Sequence, residues 1–337
     1  MSKEDIPAYF RKKYIRRAGR LGNTIICLIF SVISVILFGN CRQSPRPESR
    51  TQTREYIYQS ANANAVTQTE IPTVPDYIVF ADDTIRFDSE DLYERMDREL
   101  LAFTFSHTTS ILMLKRAPKY FPQIEPILKK HGIPDDFKYL MVIESNLDPQ
   151  SVSTVGAAGL WQFTKTTGKQ YGLEINANID ERYNIEKATT AACEYLNNAY
   201  NKYHNWLTVA ASYNAGQNRI TNEITRQRQK NAMNLWLPKE TSRYIFRILA
   251  AKMMFSNPEQ FGFDLRKDQL YKPISCSDTV IVRSSIADLA AFALRHGVTY
   301  LELRKANLWL LEQNLKNQSK REYRIAIPDN EKKRSRN

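Results

Sequence analysis

The chain of 337 residues is poor in cysteine, and its four cysteines, Cys27, Cys41, Cys193 and Cys276, stand far apart. None has the close spacing of a zinc site or a dithiol redox motif. Thiolate metal chemistry and a disulfide framework are thereby excluded, and neither a metal nor a cofactor is expected. Cys27 lies in an apolar run and Cys41 just beyond it. That leaves Cys193 and Cys276 either cross-linked or as two buried free thiols, the second being expected. A broad basic surface is also lacking. Of the net charge of +12, residues 1–23 hold +5 and residues 331–337 hold +3, so +4 remains for everything between. A mild excess suits an acidic polymer, but it is not the concentrated footprint of nucleic-acid binding, and no nucleic-acid partner is expected. From about residue 89 to residue 263 no alternating strand of useful length appears, which excludes a sheet-based domain there. The hydrophobic fraction of 42% and charged fraction of 25% are ordinary, so general disorder is excluded as well.

Residues 1–41 carry a basic stretch, RKKYIRRAGR, an apolar run from Ile25 to Phe38 and a small, polar exit, GNC. The run is short for a membrane span of about 20 residues and suits the core of an export signal. Basic flanks stay in the cytoplasm, which places the chain after Cys41 outside the inner membrane, on the periplasmic side of a bacterial envelope, attached to one of its membranes by this segment or by lipid. LFGNC resembles a lipoprotein signal, with Cys41 as the lipidation site; Asn40 stands where a small residue is usual, and an uncleaved anchor is the alternative. Residues 42–88 are rich in Ser, Thr, Gln, Asn, Arg and Pro without sustained periodicity, the composition of a flexible linker.

Helical spacing then dominates. Leu92, Met96 and Leu100 predict one helix, and KYFPQIEPILKKHG a second, closed by Gly132. In the third, Pro134 opens the helix, Asp135 and Asp136 occupy its first turn, and Phe137, Leu140, Met141 and Glu144 share one face. Asp148-Pro149 is expected to end it. An acid on an apolar face near the negative end of a helix dipole has its proton affinity raised by desolvation and by the dipole, as a general acid at neutral pH requires. The same pattern also describes a buried Glu satisfied by an Arg or a backbone amide. Further helices are read in ATTAACEYLNNAYNKY, WLTVAASYNAG and KETSRYIFRILAAKMMF, giving one α domain over residues 89–265. After it, TVIVRS and YRIAIP flank two helical stretches, a small βααβ module over residues 270–330, followed by the basic tail 331–337.

The stretch YLMVIESNLDPQSVSTVGAAGLWQFTKTTGKQYGL resembles the catalytic region of lytic transglycosylases, most nearly the membrane-bound D type. YNAG at Tyr213 to Gly216, DER at Asp180 to Arg182 and LPKETSRY ending at Tyr244 recur in the order of that family. The resemblance implies a mainly α, lysozyme-like catalytic domain acting on peptidoglycan glycan strands at the β-1,4 bond between N-acetylmuramic acid and N-acetylglucosamine. It makes Glu144 the acid and then the base, with a 1,6-anhydro product. It also carries substrate-binding roles to Ser145, Ser153, Gly156, Gly159, Gln162, Tyr213, Asn214 and Tyr244. Ser153 is expected to hold the N-acetyl group, Gln162 and Asn214 to bond sugar amides and hydroxyls, and the tyrosines to border the cleavage site or simply pack. Gly156 and Gly159 are expected to allow a tight turn and close approach to the glycan. Asp148, the nearest second carboxylate, is read as a helix-end residue. The C-terminal module resembles a LysM repeat, a glycan-binding unit, although VRSSI replaces its usual Gly-Asp/Glu-Ser/Thr turn. A noncatalytic peptidoglycan-binding lipoprotein and a hydrolytic muramidase are the competing functions.

Overall fold

The computed structural model describes residues 71–329 apart from Ser319. The export signal, Cys41 and the basic tail lie outside the described residues. The first element of the described residues is a hairpin, β1 (Tyr77–Phe80) against β2 (Asp83–Arg86), with Tyr77 opposite Arg86 and Phe80 opposite Asp83. Ala81 and Asp82 form its turn at φ 50° and 69°, the left-handed pair that matches strand twist in a two-residue loop. Ile78, Phe80, Ile85 and Phe87 are buried on one side while Tyr77 and Val79 face water. The linker expectation for residues 42–88 is therefore corrected over residues 77–86. Alternation across two four-residue strands is too short to stand out from polar flanks.

Ser89 caps the first helix, α1 (Glu90–Phe105), which buries Met96, Leu100 and Phe103 at helical spacing. The second, α2 (His107–Lys130), begins earlier than its sequence pattern suggested and holds Pro118, Pro122 and Pro126 inside it. Each proline removes a backbone donor, and the spacing of four places them along one face, Pro122 and Pro126 being exposed. Then α3 (Phe137–Ser145) drives Phe137, Leu140 and Met141 wholly into the core.

Both ends of α3 differ from the expectation. Asp136 precedes the helix instead of lying in its first turn, and its carboxylate accepts from the Ala81 amide at 2.8 Å and pairs with Lys252 at 2.8 Å. The turn of the hairpin is thereby pinned to the helix start. The stop comes at Asn146 (φ 51°) and Leu147 (φ 56°), before Asp148-Pro149. Left-handed backbone is costly for leucine; complete burial of the Leu147 side chain offsets it.

A short helix, α4 (Lys165–Gln170), leads on to α5 (Ile185–Tyr203), α6 (Trp206–Ala215), α7 (Gln217–Gln227) and α8 (Lys239–Ser256). Asn184 and Asn205 cap α5 and α6 through side-chain oxygens. The long α8 lies against α1, α3 and α6, so it faces the helix bearing Glu144.

The C-terminal module is β3 (Cys276–Val282), α9 (Leu289–Arg295), α10 (Tyr300–Ala306) and β4 (Tyr323–Pro328), with β3 and β4 antiparallel. The expected βααβ order is present, but the module's core is not closed by its own chain. Ile179, from the loop before α5, is completely buried among Leu289, Leu303, Leu310 and Ile325. Asn178 accepts from the amides of Leu311 (3.0 Å) and Lys316 (2.9 Å), the Asp180 amide donates to Trp309 O (2.9 Å), and Tyr323 donates to Glu174 (2.9 Å). Burial of one isoleucine stabilises by about 1.5–3 kcal/mol. Cys193 and Cys276 are free thiols; Cys193 is buried as expected, whereas Cys276 is exposed.

Candidate active site

Glu144 occupies the last turn of α3 above its apolar face. Tyr244, buried on α8, donates its hydroxyl to Glu144 Oε1 at 2.5 Å. Burial pushes the Glu144 carboxyl up to about 7, with Glu240 adding to the rise, while the Tyr244 bond and the positive charge of Arg247 restrain it. Desolvation therefore wins, and the acid carries its proton through much of the range below neutrality. Burial and the neighbouring Glu144 push the Tyr213 and Tyr244 hydroxyls well above their ordinary value. Both stay protonated and act as donors.

The segment after α3 folds into a tight double turn. Ser153 and Ala157 exchange backbone bonds and contacts at 2.8–3.0 Å: the Ser153 amide donates to Ala157 O, and the Ala157 amide donates to Ser153 Oγ. Bridges Val152 to Ala158 and Ala158 to Phe163 close the turn. Gly156 and Gly159 have φ 77° and 79°. A Cβ on Gly159 would lie 2.0 Å from the Arg182 carbonyl oxygen. The close approach expected there toward glycan is thus taken by protein backbone. At Gly156 the space is open, and only the backbone conformation calls for glycine.

Arg182 is the organiser that sequence reasoning missed. It is buried with Asp180 (2.6 Å) and donates through Nη1 to Gly156 O (2.7 Å) and Phe163 O (3.0 Å), holding both ends of the turn. The DER tripeptide was visible as a motif, but nothing in its spacing tied Arg182 to carbonyls some twenty residues upstream. Arg247, three residues beyond Tyr244, went unnoticed too; its helical spacing from that tyrosine was the available signal. Trp161 is fully buried and donates to Thr189 Oγ1 at 2.9 Å.

The remaining predicted residues divide. Tyr213 reaches the Trp161 carbonyl at 2.7 Å, so it fixes the turn and does not hydrogen-bond Glu144. Gln162, at φ 49°, donates through Nε2 to Ser151 O (3.0 Å) and Gly159 O (2.8 Å). Half-buried Asn214 follows Tyr213 on α6. Ser145 is buried, and its hydroxyl donates back to Met141 O at 3.2 Å. Asp148, in the loop after α3, pairs with Arg116 of α2 at 3.6 Å and accepts from the Gln150 amide at 3.0 Å. Among the described residues no group of His, Cys, Asp and Glu is arranged to hold a metal.

The described molecule is thus a helical domain holding one desolvated carboxyl of raised proton affinity, with a small βααβ domain docked on the loop before α5. Residues 122–236 match the model of the transglycosylase SLT domain, and residues 278–331 match that of the soluble lytic transglycosylase C-terminal LysM-like domain. The chain carries a transglycosylase SLT domain of lysozyme-like type followed by a LysM-like domain. It is 26% identical over 292 residues to membrane-bound lytic murein transglycosylase D of Escherichia coli K12, covering 81% of this chain and 62% of that protein. Membrane-bound lytic murein transglycosylase F of Desulfosudis oleivorans is 28% identical over 130 residues, 36% of this chain and 26% of that one. The crystal structure of the 70 kDa soluble lytic transglycosylase of Escherichia coli is 18% identical, with a TM-score of 0.34, over 54% of this chain and 33% of that one.

Proposed function

We propose that this protein is a peptidoglycan lytic transglycosylase that breaks the β-1,4 bond between N-acetylmuramic acid and N-acetylglucosamine. The observation that carries the reading is Glu144 itself, an acid pushed up to about 7 and oriented by Tyr244 inside an SLT domain. Protonated Glu144 delivers its proton to the glycosidic oxygen as the bond to C1 breaks. The resulting carboxylate then takes the proton of the muramic C6 hydroxyl, whose oxygen closes on C1 to give the 1,6-anhydro end. One residue serves twice, so the second carboxylate of most glycosidases is not needed. Ser153, whose Oγ accepts from the Ala157 amide and keeps its own proton, is assigned the N-acetyl carbonyl, and Gln162 and Asn214 are assigned sugar hydroxyls and amides.

A hydrolytic muramidase is the second reading, because Glu240 lies close enough to raise the Glu144 carboxyl and could serve as the partner carboxylate. Mass spectrometry of digested sacculi separates the two: 1,6-anhydro ends support the lytic reaction, and reducing muramic ends refute it. We further propose attachment on the periplasmic side of the envelope through residues 1–41, with Cys41 as the lipid site. The names of the two membrane-bound relatives support attachment. Among the described residues no helix is long and apolar enough to cross a membrane.

A further inference from the structure

A cleft of about 810 Å³ lies where the LysM-like domain meets the catalytic domain, and Glu144 is not among its lining residues. Its walls come from both domains: Arg116 and Lys119 on α2, the loop at Asp148 to Gln150, and Lys305 on α10 with Arg324 on β4. Arg116 shares its charge with Asp148, and Lys187 at the rim pairs with Glu181. Lys119, Lys305 and Arg324 make no ion pair among the described residues. Positive charge from two domains therefore converges on one concavity. Burial and the positive charges of Arg116 and Lys305 hold the Lys119 ammonium below its ordinary proton affinity, so these three cations stand close enough to repel one another. A surface that brings like charges together is stabilised by an anionic ligand. Glu186, on the same wall and without an ion pair among the described residues, offers a carboxylate to an ammonium.

We propose that this cleft binds the peptide substituent of the cell-wall polymer, its carboxylates on Lys119, Lys305 and Arg324 and an amino group toward Glu186. The volume suits a short peptide and falls in the range of about 300–1,000 Å³ usual for small-ligand sites. A nucleic acid is disfavoured by the acidic residues in the wall. Arg116 also donates to the carbonyl of Asn146 at 3.0 Å, the residue that ends the Glu144 helix. Occupancy of the cleft therefore lies one side chain from the catalytic helix. This inference rests on the proposed cleavage of peptidoglycan and assigns it a preference for peptide-bearing strands.

The test uses the full-length chain in detergent and its K119E/K305E and K119M/K305M variants, with folding checked by thermal melting. Initial rates are measured on peptide-bearing strands and on strands stripped by an amidase, which retain the lactyl carboxylate of muramic acid. Binding of the released stem peptides is measured separately by calorimetry. Charge reversal is expected to raise KM on peptide-bearing strands roughly tenfold with kcat nearly unchanged, to leave stripped strands unaffected, and to abolish binding of the free peptides. The methionine pair is expected to give a smaller change in the same direction. An equal rise of KM on stripped strands would assign the cleft to the lactyl carboxylate and overturn the peptide proposal, as would undiminished peptide binding by the charge-reversed protein. Absence of cleavage of either substrate by the wild type, with peptide binding retained, would sink the proposed reaction and leave the cleft assignment standing.

Discussion

Glu144→Gln is expected to abolish cleavage and, in the same protein, to raise stability in a pH-dependent way. Gln keeps the shape of the side chain and an oxygen to accept from Tyr244, but it has no proton to deliver; general acid catalysis is typically worth about 10²–10⁴-fold. The stability change follows from the proton affinity of the native carboxyl. Raised from an ordinary 4.5 to about 7, it binds a proton in the folded state that the unfolded state has released. At about 1.4 kcal/mol per tenfold, the difference amounts to about 3 kcal/mol. The sign is set by proton binding: the native state holds more protons between pH 4.5 and 7, so wild-type stability falls as pH rises through that window. Below it both forms are neutral at this position. Above it the wild type has an ionised carboxylate in a desolvated site, and the Gln variant does not. The variant's advantage should therefore grow across the window by about 3 kcal/mol, or roughly 6–12 °C in Tm for a domain of this size. Melting curves of both proteins, started at residue 71 and recorded from pH 4 to 8, give the difference directly, because every other titration is common to the pair. A difference that stays flat over that range would mean that Glu144 is already ionised near pH 5, and the proton-donor argument would be refuted.

Five further outcomes are expected. Tyr244→Phe removes the bond that restrains the Glu144 carboxyl, so the alkaline limb of the rate profile should move to higher pH while kcat falls about 10–100-fold from lost orientation; an unmoved limb would show that the tyrosine only packs. Arg182→Met leaves Asp180 buried without its partner and frees both ends of the Gly156 to Phe163 turn, which should cost about 3–5 kcal/mol in denaturant titration, with Lys a poorer substitute than the bidentate guanidinium. Gly159→Ala drives a methyl into the Arg182 carbonyl at 2.0 Å; expression and melting should report a loss above about 1 kcal/mol, whereas Gly156→Ala should show only the smaller cost of its backbone conformation. Labelled fatty acid should enter the wild type and not Cys41→Ala, and equal labelling would favour an anchor helix. Removal of the chain from Tyr271 onward should weaken binding to sacculi. Because it also strips the cover from Ile179 and the partners from Asn178, it should lower catalysis on short glycans through the Asp180–Arg182 hold on the turn, and unchanged short-chain turnover would show that this hold is independent of the LysM-like domain.

The helical character of residues 89–263, the βααβ order of the C-terminal module and the placement of Glu144 on an apolar helix face were all legible in the sequence, because each depends on spacing within one element. Side chains at i, i+3, i+4 and i+7 must share a face wherever the helix is placed. The pairing of Glu144 with Tyr244 was legible only through the resemblance, since the two are a hundred residues apart and no local rule joins them. Tertiary structure alone decided the rest. The hydrogen bonds of Arg182, Tyr213 and Gln162 depend on which carbonyls come within about 3 Å, and nothing local to the sequence decides that the Ser145 hydroxyl turns back to its own helix. Likewise the use of Ile179 to close the C-terminal core, and the cationic cleft that results, arise where segments over a hundred residues apart meet. The physical reason is that helix and strand periodicity is written into neighbouring residues, whereas desolvation, hydrogen-bond partners and charge convergence depend on distances that only the packed chain sets.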